Sequence, residues 1–176
     1  MSESDDEAPA PDRVAPAVVE TLAAREATLA VAESHTGGRV CNAIVRVPGA
    51  SAVFEEGVVT YGYGTKRRRL AVPRETLDAH GSVSSEVASA MAAGVRDTAE
   101  TTWGLATTGV AGPGGGTEST PVGTTYVGVA YAAPWESGES YARATRSALS
   151  GDREAVIERA TGVALAELRR HLEAEQ

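Results

Sequence analysis

A strand, a tight turn and a helix follow one another between residues 28 and 47, and this unit constrains the fold more than any other stretch. The apolar residues 28–31 are typical of a buried strand, residues 32–38 turn the chain, and apolar residues then recur at helical spacing. A hydroxyl at the carboxyl end of such a strand faces the crevice in which open α/β sheets bind ligands. It also lies beside the free N–H groups and partial positive charge of a helix start. Ser34 is therefore a candidate nucleophile or anion ligand, although serine in such a turn is equally typical of a helix cap.

Charge balance and cysteine usage argue against several classes of protein. The net charge is −8, whereas binding a nucleic-acid backbone requires clustered basic residues, and the one basic cluster, residues 66–69, is typical of a solvated helix face. A single cysteine, Cys41, excludes an intramolecular disulfide framework and a multi-cysteine zinc site, and three histidines without carboxylate spacing argue against other metal sites. No apolar run reaches the roughly 18 residues of a spanning helix, and the acidic N-terminus lacks the features of a signal peptide. We therefore expect a cytoplasmic protein that binds neither nucleic acid nor membrane and needs no metal.

Strand and helix patterns alternate along the chain and predict one α/β domain. Residues 1–12 are acidic and interrupted by proline, so we expect a disordered tail followed by a single domain over residues 13–176. The pattern predicts a three-layer α/β/α sandwich with a mixed, mostly parallel sheet of about five strands, in which residues 122–131 and 140–148 form an antiparallel hairpin. A helix of small residues beginning at Ser84 indicates close packing, either within the core or between subunits, so self-association stays open.

Lysine usage singles out one basic residue. The chain has 15 arginines and one lysine, Lys66. Unlike arginine, a lysine can lose its proton when it is desolvated or lies near other cations, such as arginines 67–69, and can then act as a base. A neutral Lys66 near Ser34 would form a nucleophile–base pair suited to acyl transfer, such as amide hydrolysis.

Three polar segments at the ends of predicted strands are expected to meet in one cleft: residues 33–38, 61–66 and 108–116. The third is a glycine-rich loop whose N–H groups, like those of Gly37 and Gly38, are candidates for an oxyanion hole. The loop lacks the Gly-Lys-Ser/Thr ending of a nucleoside-triphosphate loop and the pattern of a dinucleotide-binding turn, but it could hold a monophosphate. A Ser–His–Asp arrangement is disfavoured because the side chain of His35 should diverge from that of its neighbour Ser34.

Five motifs occur in a characteristic order along the chain. They are Ala-Glu-Ser-His-Thr-Gly-Gly at residues 32–38, Val-Val-Thr-Tyr through to lysine at 58–66, His-Gly-Ser-Val-Ser at 80–84, Thr-Gly-Val-Ala-Gly-Pro-Gly-Gly at 108–115 and Pro-Val-Gly-Thr at 121–124. Together they resemble the C-terminal domain family of the competence-damage-inducible protein CinA, over a stretch from about residue 18 to residue 172. The resemblance implies a three-layer α/β/α fold.

The resemblance also implies an activity, because some members of that family are nicotinamide-nucleotide amidohydrolases. It implies hydrolysis of nicotinamide mononucleotide to nicotinate mononucleotide and ammonia, without cofactor or metal, as in the salvage of pyridine nucleotides. Ser34 matches the family's nucleophilic serine, and Tyr61 and Lys66 match the tyrosine and lysine of its second motif. The implied substrate-binding residues are Glu33, Thr36, Gly37, Gly38, Thr108, Gly109, Gly112, Gly114 and Gly115. Larger relatives carry an N-terminal pyrophosphatase domain that these residues do not encode, so we expect the stand-alone form, with a small-molecule nucleotide as its partner.

Two departures from the family pattern keep an alternative open. The family usually has cysteine where this chain has His35, which implies that the residue is not essential to the reaction. Between tyrosine and lysine of the second motif, Gly-Tyr-Gly-Thr at residues 62–65 replaces the usual Ser-Asn-Glu-Ala, which removes an amide and a carboxylate. The alternative is therefore a non-catalytic nucleotide-binding or interaction module that keeps the same pocket.

Overall fold

A computed structural model describes residues 8–175 of the chain, in which helices and strands alternate. The helices are α1 (Pro11–Ala24), α2 (Arg39–Val45), α3 (Tyr63–Leu70), α4 (Arg74–His80), α5 (Ser85–Thr98) and α6 (Arg153–Ala174), with a short 3-10 turn at Ala50–Ala52. The strands are β1 (Leu29–Glu33), β2 (Phe54–Val59), β3 (Trp103–Gly109), β4 (Thr124–Tyr131) and β5 (Tyr141–Ala148). The α/β class and the five strands are as the sequence predicts.

The five strands form one mixed sheet in the order β2-β1-β3-β4-β5. Strand β1 pairs in parallel with both β2 and β3, whereas β3 with β4 and β4 with β5 pair antiparallel. The predicted terminal hairpin is confirmed, but the expectation of a mostly parallel sheet is wrong, because the two antiparallel ladders are the longer ones. The chain from β3 to β4 returns through the glycine-rich loop without a crossover helix, and only such a crossover would have made that pair parallel.

Helices cover both faces of the sheet, and the two faces differ in side-chain size. Toward α1, α2 and α6 the central strands present bulky residues, namely Leu29, Val31, Trp103, Leu105, Val127 and Val129. Toward α3, α4 and α5 they present alanines, namely Ala30, Ala32, Ala106 and Ala130. Because successive side chains of a strand alternate between faces, each strand contributes to both cores.

Helix α5 lies unusually close to the sheet on the alanine face. A Cβ atom built at Gly104 would lie 2.1 Å from the carbonyl oxygen of Ala92, and one at Gly128 would lie 2.1 Å from that of Ala88. Glycine in these strands therefore permits direct contact between helix backbone and sheet. The sequence left open whether the small residues of this helix pack within the core or between subunits. In the structure, the apolar face of α5 is buried in the core.

The start of the folded chain differs from the expected boundary. Pro11 and Asp12, predicted to be in the tail, form the first turn of α1, where proline is well tolerated because the first N–H groups of a helix have no partner within it. Residues 1–7 of the predicted tail lie outside the described residues. Within residues 8–175, no helix has the length and apolar character required to cross a membrane.

We expect Gly128→Ala to destabilise the fold by about 1–3 kcal/mol, because the added methyl group must displace either the α5 backbone or the strand. Urea denaturation followed by circular dichroism measures the change in the free energy of unfolding. Gly62→Ala is the matched control, since no atom lies within 4 Å of the position its methyl group would take and its φ is −95°. Equal stability of the two variants would contradict the close approach of helix and sheet.

Candidate active site

The carboxyl ends of β1, β2 and β3 lie at one end of the sheet because these neighbouring strands are parallel. The segments after them line a cleft of about 240 Å³, so the three polar segments meet as predicted. The cleft is lined by Ser34, His35, Tyr61, Ser82, Val83, Thr108, Gly109, Val110, Ala111, Gly112, Gly114, Gly115 and Arg153.

Ser34 and Lys66 are in direct contact. The Nζ atom of Lys66 lies 3.0 Å from the Oγ atom of Ser34, and it also donates to the carbonyl oxygens of Thr60 at 2.7 Å and Tyr61 at 3.2 Å. A neutral amine has two N–H bonds and one lone pair. If the two N–H bonds point to the carbonyls, the lone pair is free to accept the proton of the Ser34 hydroxyl.

Burial makes the neutral form of Lys66 accessible. The Lys66 side chain is fully buried, and this desolvation lowers its pKa from the usual 10.5 to about 8. The arginines at 67–69, expected to contribute, lie exposed on α3, and burial is the cause of the shift. Among the ion pairs found within residues 8–175, none involves Lys66.

The buried carboxylate of Glu33 lies at the start of helix α2 and binds its backbone N–H groups. Its Oε2 atom accepts hydrogen bonds from the backbone N–H groups of Gly38 at 2.9 Å and Val40 at 3.2 Å, and its Oε1 atom accepts from that of Cys41 at 2.8 Å. The carboxylate therefore complements the helix dipole internally. The expectation that these N–H groups are free for a ligand is wrong.

The rest of this turn is also engaged within the protein. The Thr36 hydroxyl donates to Glu33 at 2.6 Å and lies 2.7 Å from the hydroxyl of Thr107, while the N–H of Gly37 donates to the carbonyl of Ser34. Positive φ angles of 59° at Gly37 and 102° at Gly38 form the turn, which explains the two glycines. Four of the nine predicted substrate-binding residues do not line the cleft, namely Glu33, Thr36, Gly37 and Gly38. Their hydrogen bonds instead stabilise the turn that carries Ser34.

The glycine-rich loop lines the same cleft as Ser34. All five remaining predicted binding residues line it, namely Thr108, Gly109, Gly112, Gly114 and Gly115. The Thr108 hydroxyl donates to the carbonyl of Ser82 at 2.6 Å, which joins this wall to the segment before α5. Ser82 and Val83 belong to the third of the five sequence motifs, but the sequence alone assigned neither of them to the site.

His35 is buried beside Ser34 but contacts a different partner. Its Nε2 atom lies 3.1 Å from the Thr125 hydroxyl, and a Cβ at Gly109 would lie 2.7 Å from the same nitrogen. Burial lowers the pKa of His35 to about 4, so the imidazole is neutral at physiological pH. The hydrogen-bond partner of Ser34 is Lys66, which agrees with the rejection of a Ser–His–Asp arrangement.

Arg153 is the main site residue that sequence reasoning missed. It lies in the first turn of α6, and its guanidinium donates to the carbonyl of Gly112 at 2.5 Å and to the Tyr61 hydroxyl at 3.4 Å, so it links two walls of the cleft. The Tyr61 side chain is 62% exposed, and Lys66 contacts its carbonyl oxygen. A cation in the first turn of a helix is unfavourable because it lies at the positive end of the helix dipole. An arginine at the start of a predicted helix was therefore the one sequence feature that could have indicated a site residue here.

Comparison with known proteins identifies the family of the chain. The model of the CinA C-terminal domain family matches residues 11–172. The chain belongs to the CinA C-terminal domain family. A CinA-like protein of Myxococcus xanthus is 47% identical over 155 residues, which is 88% of this chain and 35% of that protein. A CinA-like protein of Anaeromyxobacter sp. (strain K) is 46% identical over 158 residues, or 90% of this chain and 37% of that protein.

Solved structures have the same fold over nearly their whole length. The competence damage-inducible protein A from Klebsiella pneumoniae superposes with a TM-score of 0.87 at 32% identity, covering 96% of this chain and 100% of that one. The competence/damage inducible protein CihA from Agrobacterium tumefaciens gives a TM-score of 0.85 at 28% identity, covering 98% and 99%. This CinA-family chain spans little more than a third of the length of the curated relatives it matches.

Within residues 8–175, no three His, Cys, Asp or Glu side chains are grouped as metal ligands.

The lowered pKa of Lys66 can be measured directly, because the chain has one lysine. In protein labelled with ¹³C at lysine Cε, we expect one NMR resonance that titrates with a midpoint near pH 8 in the folded protein. In urea the midpoint should return to about 10.4, since the unfolded side chain is solvated. A folded-state midpoint above 10 would contradict a desolvated amine.

Proposed function

We propose that this protein is a metal-independent amidohydrolase that deamidates nicotinamide mononucleotide to nicotinate mononucleotide and ammonia. The 3.0 Å contact between the Lys66 amine and the Ser34 hydroxyl carries the proposal, because it joins a nucleophile to a base whose pKa lies near neutrality. The family membership supports the choice of substrate, since the resemblance described above implies a pyridine mononucleotide.

The reaction begins when Ser34 Oγ attacks the carboxamide carbon and Lys66 Nζ takes the hydroxyl proton. The tetrahedral intermediate collapses as the C–N bond breaks, and Lys66 returns the proton to the leaving nitrogen, which departs as ammonia. Water then attacks the acyl–enzyme ester and gives a proton to Lys66. Lys66 returns this proton to Ser34 as the ester bond breaks, so the enzyme is restored. The carboxylic acid product loses its own proton to solvent and leaves as the carboxylate.

The oxyanion needs N–H donors that are not already engaged. Glu33 and the Ser34 carbonyl occupy the N–H groups of Gly38 and Gly37, which were candidates from the sequence. The proposal therefore assigns the oxyanion donors to the glycine-rich loop, which lines the same cleft as Ser34. Tyr61 supplies its carbonyl to orient the Lys66 amine, and its hydroxyl positions Arg153.

Arg153 is suited to hold the phosphate of a mononucleotide. Its guanidinium lines the cleft in the first turn of a 22-residue helix, so its charge and the positive end of the helix dipole act on the same region. An anionic ligand there would relieve the unfavourable position of the cation. The dianionic phosphate of nicotinamide mononucleotide meets this requirement.

Purified protein is expected to release ammonia from nicotinamide mononucleotide, and Ser34→Ala is expected to lower kcat by about 1,000-fold or more, since the nucleophile is removed. A coupled ammonia assay at low and high salt measures the rate. Ser137→Ala, an exposed serine of the β4–β5 turn, is the matched control and should keep full activity. Calorimetric binding of the nucleotide without turnover would favour the non-catalytic module instead, and undiminished release by Ser34→Ala would exclude the assigned nucleophile.

The rate should increase with pH, because the base is the neutral form of Lys66. We expect kcat/KM to rise as pH increases and to level off above about 8, the pKa of this side chain. Lys66→Arg preserves the charge but cannot be deprotonated, so turnover should fall by about 100- to 10,000-fold while nucleotide binding persists. Arg69→Lys on the exposed side of α3 is the control. A profile that falls between pH 6 and 8 would contradict Lys66 as the base.

Arg153→Ala should mainly weaken substrate binding. Loss of a charge-assisted hydrogen bond costs about 1.5–3 kcal/mol, which predicts a roughly 10- to 100-fold increase in KM for the mononucleotide with a smaller change in kcat. Steady-state kinetics measure both constants. Arg169→Ala, on an exposed face near the other end of α6, should leave them unchanged. A change confined to kcat would assign Arg153 to the chemistry and not to the phosphate.

A further inference from the structure

One tryptophan projects from the end of the sheet opposite the cleft. Strand β4 starts beside the glycine-rich loop and ends at Tyr131, so the turn into β5 lies at the far end of the sheet. Trp135 in this turn is 97% exposed, whereas the other tryptophan, Trp103, is 1% exposed. An indole presents a large apolar area at little cost in conformational entropy, and tryptophan is over-represented among residues that dominate interfaces.

The turn that carries Trp135 is held by its own hydrogen bonds. The Ala133 N–H donates to the Ser140 hydroxyl at 3.0 Å, and the Ser137 N–H donates to the Pro134 carbonyl at 3.2 Å. Hydrogen bonds within residues 133–140 therefore help to order the tip. It is also acidic, since Glu136 and Glu139 flank the indole and are exposed.

A groove on the α3–α4 side has the complementary character. A cavity of about 340 Å³ is lined by Arg67, Arg68, Ala71, Val72, Pro73 and Arg74. Its exposed Ala71 and Pro73 provide an apolar surface, whereas Val72 is buried beneath them in the core. Its three arginines provide positive charge in a chain whose net charge is −8. Among residues 8–175, no carboxylate forms an ion pair with Arg67 or Arg68. We call this surface the arginine groove.

We propose that the Trp135 tip of one copy docks in the arginine groove of a second copy. The indole fits against the apolar surface with an arginine over its face, and the two glutamates pair with Arg67 and Arg68. A second copy is the occupant to which the two surfaces point, because the acidic tip and the basic groove are complementary in charge and both expose apolar groups. The contact joins two different patches, so it closes reciprocally into a dimer or continues head to tail.

Sedimentation velocity across roughly 1–500 µM protein tests the proposal, since small polar interfaces associate in this range. The weight-average mass should increase with concentration in the wild type and remain that of a monomer for Trp135→Ala and for Arg67→Glu combined with Arg68→Glu. Arg13→Glu in α1 with Arg25→Glu just after it makes the same charge change elsewhere, and this variant should associate like the wild type. Circular dichroism melting checks that each variant is folded.

A charge exchange separates this contact from other modes of association. Glu136→Arg with Glu139→Arg should also be monomeric, yet a mixture with the Arg67→Glu and Arg68→Glu variant should associate, because tip and groove again carry opposite charges. Acrylamide quenching gives a second readout, since the exposed Trp135 supplies the quenchable emission and should become shielded as concentration rises. A wild type that stays monomeric throughout, or association unaffected by Trp135→Ala, would overturn the proposal.

Discussion

Burial of the Lys66 amine against Ser34 is the interaction on which the rest of the site depends. Removing an ammonium group from water is costly, and in this fold no carboxylate within residues 8–175 pairs with it. The backbone carbonyls of Thr60 and Tyr61, just after β2, accept its hydrogen bonds and hold the nitrogen in place. They do not stabilise the ammonium form as fully as water would. The fold therefore destabilises the protonated form, and this is the physical origin of the lowered pKa of the Lys66 amine, about 8. The amine held by these carbonyls reaches Ser34 because β2 lies parallel to β1, so the segments after the two strands are neighbours.

The electrostatics around this pair are divided between two helix starts. At α2, the buried carboxylate of Glu33 satisfies the N–H groups from within, so this end of the site is already neutralised. At α6, Asp152 caps the helix, but Arg153 adds a positive charge that faces the cleft. An incoming anion is therefore attracted to the α6 side of the cleft, which Ser34 also lines. The proposed substrate, with an amide and a phosphate, fits this division of charge.

The close packing of α5 links the core to the cleft. Glycines at positions 104 and 128 allow the helix backbone to contact β3 and β4. The helix begins immediately after Ser82 and Val83, which line the cleft, and Thr108 at the end of β3 is bonded to the Ser82 carbonyl. A shift of α5 away from the sheet would therefore move one wall of the site. Small residues at these positions serve the geometry of the cleft as well as the stability of the fold.

Local patterns in the chain were enough to identify the α/β class, the five strands, the terminal hairpin and the Ser34–Lys66 pair. Each of these rests on short-range information: hydrophobic periodicity, turn residues and the presence of one lysine among many arginines. The direction of pairing between β3 and β4, the internal capping of α2 by Glu33 and the place of Arg153 at the cleft could not be read in this way. They depend on which segments, far apart along the chain, are brought together when the two apolar faces of the sheet are covered. Sequence spacing specifies which groups are near one another along the backbone, whereas burial of both faces selects the long-range partners that compete for the same hydrogen bonds.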